Sequence, residues 1–148
     1  MTKVLNPEKR YVCGFIFDAP RENVLLIRKK RPDWQAGKLN GIGGEIEDDE
    51  SSVLAMMREC KEECGLSIQP DSWYLFCSLQ DQHGWWIDFF YASFEDIDYS
   101  AQITDESLEK VPVSDLTGCM TNLHWLIPMA LSMKDETCAG FEIKERRA

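Results

Sequence analysis

The chain has 148 residues, of which 44% are hydrophobic and 11% aromatic, and its formal net charge is −10 at pH 7. That length and apolar content suit a single domain over residues 1–148 with a buried core. Because the chain is acidic and has no basic stripe, we expect it to bind neither nucleic acid polymers nor membranes.

Two further features concern the cellular setting. No apolar run approaches the roughly 20 residues of a membrane span, and the first ten residues lack the hydrophobic centre of a signal peptide. We therefore expect a soluble, cytoplasmic protein, either a monomer or a homodimer.

The six cysteines are scattered, and no C-x-x-C pair typical of zinc sites is present. Reduced, partly buried thiols are the favoured interpretation. Cys60 and Cys64 lie one helical turn apart and, with His83 or His124, leave a zinc site as a less favoured alternative.

The first part of the chain predicts two paired strands, over residues 11–17 and 24–27, joined by a turn. Four basic residues, 28–31, follow the second strand and lead into a loop that contains Pro32. Because this loop runs directly into a glycine-rich segment, which can bind an anion such as phosphate through its backbone, we predict that one of these cations, such as Arg28, contacts a phosphate there.

The glycine-rich segment, residues 38–44, is predicted to form a turn in front of a helix over residues 51–64. Glycines let a backbone approach a metal or phosphate closely, although three glycines in a turn more often serve chain reversal. Ser51 or Ser52 is the expected helix cap. Val53, Met57, Cys60 and Cys64 recur at helical spacing and predict the buried stripe.

Three carboxylates of this helix, Glu59, Glu62 and Glu63, stand at positions i, i+3 and i+4 and therefore project from one side. A solvated helix face is the simpler interpretation for an isolated glutamate pair. Here the like charges repel one another, and neighbouring Arg58 and Lys61 offset them only in part. Since Mg²⁺ prefers oxygen ligands and joins a few carboxylates to substrate phosphates, the cluster indicates a metal-phosphate site.

From Gly44 to Leu66 the sequence resembles the Nudix box, G-x5-E-x7-R-E-U-x-E-E-x-G-U, in which U is a bulky apolar residue. Every charged and glycine position is filled, and Cys60 stands where an aliphatic residue is usual. The resemblance implies an α/β fold, an α/β/α sandwich with a mixed central sheet. It also implies a hydrolase that needs Mg²⁺, or Mn²⁺, and cleaves a nucleoside diphosphate linked to another group.

The resemblance further implies that the box glutamates divide between metal binding and general base catalysis. We take Glu62 and Glu63 as principal ligands and Glu59 as ligand or base, with Glu62 also contributing to catalysis. Arg58 is expected to orient a carboxylate, and Glu50 to support the loop. The expected metal ligands are Glu59, Glu62, Glu63, a backbone carbonyl of Gly43 or Gly44, and Glu106, with Glu95 and Asp105 behind Glu106.

The second half predicts strands over residues 73–79 and 85–94, an acidic loop over 95–110, and a short strand or turn over 112–116. A helix over 122–133, with Asn122 as its cap and Pro128 at an early turn or a kink, precedes a last short strand over 141–144. The aromatic residues Trp73, Trp85, Trp86, Phe89 and Phe90 are expected in the core rather than stacked on a base.

Two stretches bear on the substrate. Residues 38–44 resemble the segment W-N-G-F-G-G of the hydrolases of oxidised purine nucleoside triphosphates, with Asn40 at their base-reading asparagine. Residues 120–128 resemble their final helix, but Cys119, Thr121 and Asn122 replace a tryptophan and two aspartates. We therefore expect Asn40 and Asn122 as base contacts, because an amide both donates and accepts hydrogen bonds.

The leading hypothesis is an enzyme that converts a nucleoside triphosphate, modified or not, into a monophosphate and pyrophosphate. Hydrolysis of ADP-ribose or of dinucleoside polyphosphates is an alternative, and so is a nucleotide-binding module without catalysis. Such modules commonly lose a box glutamate, whereas all three are present here. The sequence therefore favours the hydrolase.

Overall fold

The computed structural model describes residues 9–80, 84, 86–133 and 141–144, the last four as backbone only. These residues form a mixed sheet of eight strands, two α-helices and two 3₁₀ turns. The strands are β1 Arg10–Phe17, β2 Asn23–Arg28, β3 Leu39–Asn40, β4 Ile42–Glu45, β5 Tyr74–Gln80, β6 Trp86–Ser93, β7 Leu108–Pro112 and β8 Phe141–Lys144. The helices are α1 Ser52–Cys64 and α2 Leu123–Ser132, and the 3₁₀ turns are Pro70–Ser72 and Ile97–Tyr99.

The sheet is organised around β1. This strand pairs in parallel with β6 and antiparallel with β2 and β4. Strand β2 pairs with β3 and β7, while β6 pairs with β5, which pairs in parallel with β8. The strands predicted over residues 11–17, 24–27, 73–79, 85–94 and 141–144 are thus present with small shifts at their ends.

Hydrophobic side chains cover both faces of the sheet. Alternate residues of a strand point to opposite faces, so Phe15 and Phe17 join one core cluster while Val12 and Ile16 join the other. Helix α2 packs on the first cluster and α1 on the second. The α/β/α sandwich with a mixed central sheet is confirmed.

Helix α1 begins where the sequence predicts. The Ser51 hydroxyl accepts a hydrogen bond from the backbone N of Leu54 at 3.4 Å, and Gly65 ends the helix with φ = 74°, a conformation that favours glycine. Its buried residues are Ala55, Met56, Cys60 and Cys64. The buried stripe therefore lies slightly to one side of the predicted one, because Val53 and Met57 are only half-buried.

The predicted turn at Gly43 and Gly44 is wrong. Both residues belong to β4, in register with Cys13 and Val12 of β1. A Cβ on Gly43 would lie 1.9 Å from the carbonyl oxygen of Val12. Glycine is needed at this position because the two strands approach closely.

Two other predictions need correction. The acidic segment 95–110 is not a loop throughout, because β7 begins at Leu108 and pairs with β2. The short strand or turn predicted over 112–116 agrees with the structure in part, because Pro112 ends β7 and residues 113–114 form a turn. Asn122 does precede α2, but its side chain makes no capping hydrogen bond, and Pro128 lies inside the helix.

The five described cysteines are free and buried. The thiols of Cys60 and Cys64 lie 3.6 Å apart, and among the described residues no group of three His, Cys, Asp or Glu side chains is arranged to hold a metal. Cys138 and His83 lie outside the described residues. Neither described helix is long and apolar enough to cross a membrane.

Candidate active site

Strand β4 and helix α1 bring the glycines and the carboxylates together. The backbone N of Gly43 donates a hydrogen bond to Glu63 Oε2 at 3.2 Å. A Cβ on Gly44 would lie 2.5 Å from Glu59 Oε1. The absence of side chains on β4 therefore lets two carboxylates of α1 pack directly against its backbone.

Arg58 connects the helix to the loop in front of it. Its guanidinium donates to both carboxylate oxygens of Glu50, at 2.8 and 2.9 Å, and to the carbonyl oxygen of Glu45 at 3.0 Å. It also donates to Glu59 Oε1 at 2.8 Å and to Glu62 Oε2 at 3.2 Å. The hydrogen bonds from Arg58 lower the pKa of Glu50. Arg58 thus holds the Glu50 and Glu59 carboxylates together, and its role as an orienting residue stays a prediction.

The carboxylates of α1 differ in their surroundings. Burial, reinforced by the charge of Glu59, raises the pKa of Glu63 to about 8. Burial also raises the pKa of Glu59, although the Arg58 guanidinium opposes this effect. Glu62 is more accessible, with 57% of its side chain exposed. Two partly buried carboxylates therefore repel each other beside β4.

This donor set suits a divalent cation. It supplies carboxylate oxygens, which Mg²⁺ and Mn²⁺ prefer, and a cation would relieve the repulsion that raises the pKa of Glu63. In the described part of the chain these oxygens are held by protein donors, Arg58 and the backbone of Gly43, rather than gathered around one point. The residues fit a metal ion that Glu62 and Glu63 would hold, with Glu59 as a further ligand or as the general base.

A cleft of about 650 Å³ extends from β4 along the sheet, within the range of small-molecule sites. Gly43, Gly44 and Lys29 line one part of it, and the segment before α2 lines another. After the groups that the sequence resemblance implies there, we name the part lined by Gly43, Gly44 and Lys29 the phosphate end, and the part lined by Met120, Thr121 and Asn122 the base end. The other lining residues of the cleft are Tyr11, Val12, Cys13, Pro32, Trp34, Gln35, Asn40, Gly41, Leu79, Ile87 and Phe89.

Both predicted base-reading amides line this cleft. Asn40 is held in place, because its Nδ2 donates to Gln35 Oε1 at 3.0 Å and its Oδ1 accepts from the backbone N of Gly41 at 2.8 Å. Asn122 Oδ1 is enclosed and accepts no hydrogen bond from the described part of the chain. A buried acceptor without a partner costs about 1–3 kcal/mol, so a donor on a ligand would be favoured there.

The basic segment is placed differently from the prediction. Arg28 pairs with Glu109 and donates to the carbonyl oxygen of Gly37 at 2.8 Å, and it does not line the 650 Å³ cleft. Its neighbour Lys29 does. Glu106 lies close to this site, with its two oxygens on Lys29 Nζ and the backbone N of Lys30, at 3.1 and 2.5 Å.

Trp34 is the main residue of the cleft that sequence reasoning missed. It lies in the loop between β2 and β3 and is 60% exposed. The predicted aromatic candidates Trp73, Phe89 and Phe90 are buried in the core, as expected, although Phe89 also lines the cleft. Trp86 was expected there too, but it is only half-buried, and its indole N–H donates to Asp88 Oδ1. Trp85 lies outside the described residues. A tryptophan in a polar loop, where no core requires it, was the available signal.

Solved structures share this arrangement of sheet and helices. A structure described as MutT from Aliivibrio salmonicida and Vibrio cholerae matches with a TM-score of 0.69 at 22% identity, over 84% of this chain and 98% of that one. A MutT NUDIX hydrolase from Burkholderia pseudomallei matches with a TM-score of 0.67 at 20% identity, over 82% and 96% of the two chains. These likenesses establish the class of fold.

A protein of known activity and a family model also match this chain in sequence. The 8-oxo-dGDP phosphatase NUDT18 of Danio rerio is 28% identical over 102 residues, which cover 67% of this chain and 30% of that protein. The chain therefore spans under a third of the length of this relative. The family model of the NUDIX domain matches residues 7–133. The chain belongs to the Nudix hydrolase family.

Proposed function

We propose that this chain hydrolyses purine nucleotides with the help of Mg²⁺ or Mn²⁺, and that an oxidised purine nucleoside triphosphate, cleaved to monophosphate and pyrophosphate, is its leading substrate. One observation carries the proposal. The carboxylates of Glu59 and Glu63 pack against the glycine strand β4, and Gly43 and Gly44 of this strand line the same 650 Å³ cleft as Asn122. Such a cleft has room for a nucleotide.

At the phosphate end, hydrolysis forms a P–O bond to water and breaks a P–O bond of the anhydride, and a protein group must accept the proton of water. Glu59 suits that role, because Arg58 orients it and partial burial raises its pKa toward the working pH. Glu62 and Glu63 would hold the divalent cation. When bound, this ion neutralises phosphate charge and polarises the anhydride.

At the base end, the cleft contains an aromatic ring and a hydrogen-bond acceptor. The exposed ring of Trp34 presents an aromatic face on which a base can stack. Asn122 Oδ1 accepts no hydrogen bond from the described part of the chain, so a shift of its side chain into the cleft would let it accept one from the N7–H that oxidation of guanine at C8 creates. The name of the NUDT18 relative, an 8-oxo-dGDP phosphatase, supports oxidised purine nucleotides and adds a diphosphate to the substrates to be tested.

The test is product identification by chromatography after incubation with 8-oxo-dGTP, 8-oxo-dGDP, dGTP, ADP-ribose and a diadenosine polyphosphate. Each is assayed with Mg²⁺ and with EDTA. We expect a monophosphate product from an oxidised guanine nucleotide, with Mg²⁺ only. Preferred turnover of ADP-ribose or the dinucleotide would replace the proposed substrate class.

Two variants separate catalysis from binding. Glu63→Gln should abolish turnover, whereas Asp98→Asn, the same chemical change at a side chain that is 75% exposed and pairs with Lys110, should leave it unchanged. If folded wild-type protein binds nucleotides but hydrolyses none of them, the chain is a binding module and the proposed hydrolysis is wrong.

A further inference from the structure

Gln35 and Asn40 form a pair of hydrogen-bonded side chains in the cleft. Both residues line the cleft, and Asn40 Nδ2 donates a hydrogen bond to Gln35 Oε1 at 3.0 Å. Both are half-buried, whereas Trp34 and Ala36 on either side of Gln35 are exposed. The pair joins the loop between β2 and β3 to the end of β3, so that one side chain can fix the orientation of the other.

The orientation of the Asn40 amide follows from the residue after it. The backbone N of Gly41 can only donate, and it lies 2.8 Å from Asn40 Oδ1. The Cys13 thiol donates toward the same oxygen at 3.9 Å. If the amide turned over, its NH₂ group would face both of these donors. Asn40 therefore keeps its oxygen toward Gly41 and its nitrogen toward Gln35.

The orientation of the Gln35 amide follows in turn. Because Asn40 presents its nitrogen, Gln35 must present its carbonyl oxygen. An amide nitrogen carries two N–H groups. Among the hydrogen bonds of the described residues, the pair uses one of its N–H groups, whereas both of its carbonyl oxygens already accept. What the pair can still offer to a ligand is therefore mainly N–H donors.

The loop holds the backbone of Gln35 on both sides. Its N donates to the carbonyl oxygen of Pro32 at 2.9 Å, and its carbonyl oxygen accepts from the N of Lys38 at 3.0 Å. The Arg28 guanidinium donates to the carbonyl oxygen of Gly37 in the same loop, at 2.8 Å. The Gln35 side chain thus starts from a fixed backbone, which suits a residue that positions another.

We propose that Gln35 is a positioning residue, which holds the plane of the Asn40 amide so that this amide donates an N–H to the substrate and favours a purine with a carbonyl oxygen over one with an amino group; this role rests on the nucleotide substrate of the proposed function. Gly41 decides which end of the amide faces Gln35, and Gln35 stops the amide from swinging about the contact with Gly41. An amino group in place of the carbonyl oxygen would bring donor against donor and leave a hydrogen bond unmade.

The test is the binding of nucleoside monophosphates, which requires no turnover. NMR titrations in EDTA give the dissociation constants of dIMP, dAMP and 8-oxo-dAMP. The base of dIMP has a carbonyl oxygen at C6 where that of dAMP has an amino group, and 8-oxo-dAMP adds a carbonyl oxygen at C8. We expect wild type to favour at least one carbonyl purine over dAMP by about 10-fold, and Gln35→Met to lower that ratio about 3- to 10-fold. The ratio that falls identifies the carbonyl, at C6 or at C8.

Two further variants separate positioning from direct contact with the base. Gln35→Glu keeps an oxygen for Asn40 Nδ2 but has no N–H, and its added charge acts on all three monophosphates alike. It should therefore retain the wild-type ratio. In an Asn40→Ala background, Gln35→Met should change the ratio no further. A ratio that falls as much in Gln35→Glu as in Gln35→Met, or an equal effect of Gln35→Met in both backgrounds, would show that Gln35 does not act through Asn40.

Gln102→Met is the matched control. Gln102 is exposed, donates to the carbonyl oxygen of Thr104 at 3.1 Å and does not line this cleft, so the ratio should stay at its wild-type value. Melting curves establish that each variant is folded. Wild type that binds carbonyl and amino purines equally, or binds none of them, overturns the role of Gln35. If the ratios behave as expected but no nucleotide is hydrolysed, the role of Gln35 stands and the proposed hydrolysis is wrong.

Discussion

The two ends of the cleft are built in different ways. The phosphate end comes largely from one continuous stretch, β4 to α1, in which Arg58 ties Glu50 and Glu59 together. The base end is gathered from distant segments, with Trp34 in the loop after β2 and Asn122 in front of α2. The first end contains several ion pairs, whereas the second has an exposed ring and an enclosed amide oxygen that accepts no hydrogen bond from the described residues. We infer that the local motif performs the chemistry and the assembled end selects the substrate.

The largest effect is expected for Glu59→Gln. Loss of a general base lowers kcat about 10²- to 10⁴-fold, and KM should change little because Glu59 lies away from the base end. Steady-state product release with Mg²⁺ measures both constants, with Asp98→Asn as the matched amide control. A large rise in KM without a fall in kcat would assign Glu59 to binding instead.

The two glycines of β4 should differ in how a change to alanine affects kcat and stability. In Gly44→Ala the new Cβ meets the end of the Glu59 side chain, so the carboxylate must move, and we expect kcat to fall about 10-fold while the melting temperature stays nearly constant. In Gly43→Ala the Cβ meets the backbone of Val12, and overpacking of this kind costs about 3 kcal/mol or more. Melting curves and kcat of the two variants together check this. An active, fully stable Gly43→Ala protein would contradict the packing that places β4.

At the base end we expect Trp34→Ala to raise KM about 10-fold and to leave kcat within about twofold, because stacking of a base on an aromatic ring contributes roughly 1–3 kcal/mol. Trp34→Phe keeps a stacking ring and should retain most of the affinity. The ring is 60% exposed, so neither change should disturb the fold. If Trp34→Ala and Trp34→Phe have equal KM values, a stacking ring at this position does not contribute to substrate binding.

A smaller effect concerns stability. The pKa of Glu63 in the folded protein, about 8, exceeds its ordinary value of 4.5, so the stability it contributes is present below pH 4.5 and is lost as the pH rises through 8. Without metal, Glu63→Gln should therefore be about 1–3 kcal/mol more stable than wild type at pH 8.5 and nearly equal to it at pH 5. Unfolding curves in EDTA at both pH values measure the difference. A gain that does not depend on pH would contradict the raised pKa.

Periodic and local signals predicted much of the molecule. The helical spacing and the serine cap located α1, and the strand-forming runs located β1, β2, β5 and β6. Strand β4 escaped prediction because two of its four residues are glycines, which are weak strand formers, and its partner β1 lies some thirty residues earlier. Strand β7 was not predicted because Leu108 and Val111 are separated by the charged residues Glu109 and Lys110, and the pairing partner, β2, lies far away in the sequence.

The choice among the basic residues could not be made from sequence. Arg28 and Lys29 are adjacent, and neighbouring residues at a strand end point in different directions, so the end of β2 and its partner Glu109 decide which cation faces the cleft. The roles of the individual glutamates, the single domain, the oligomeric state and the cytoplasmic location stay predictions.

The division between the two ends can be tested directly with the wild-type enzyme. We would measure kcat and KM with Mg²⁺ for 8-oxo-dGTP, dGTP, and deoxyribose triphosphate, which has no base. The account predicts that KM rises by about 10-fold or more as the base is altered and then removed, while kcat stays within a few-fold. If kcat collapses without the base and KM does not change, the two ends do not work separately, and the assignment of chemistry to one and selection to the other is wrong.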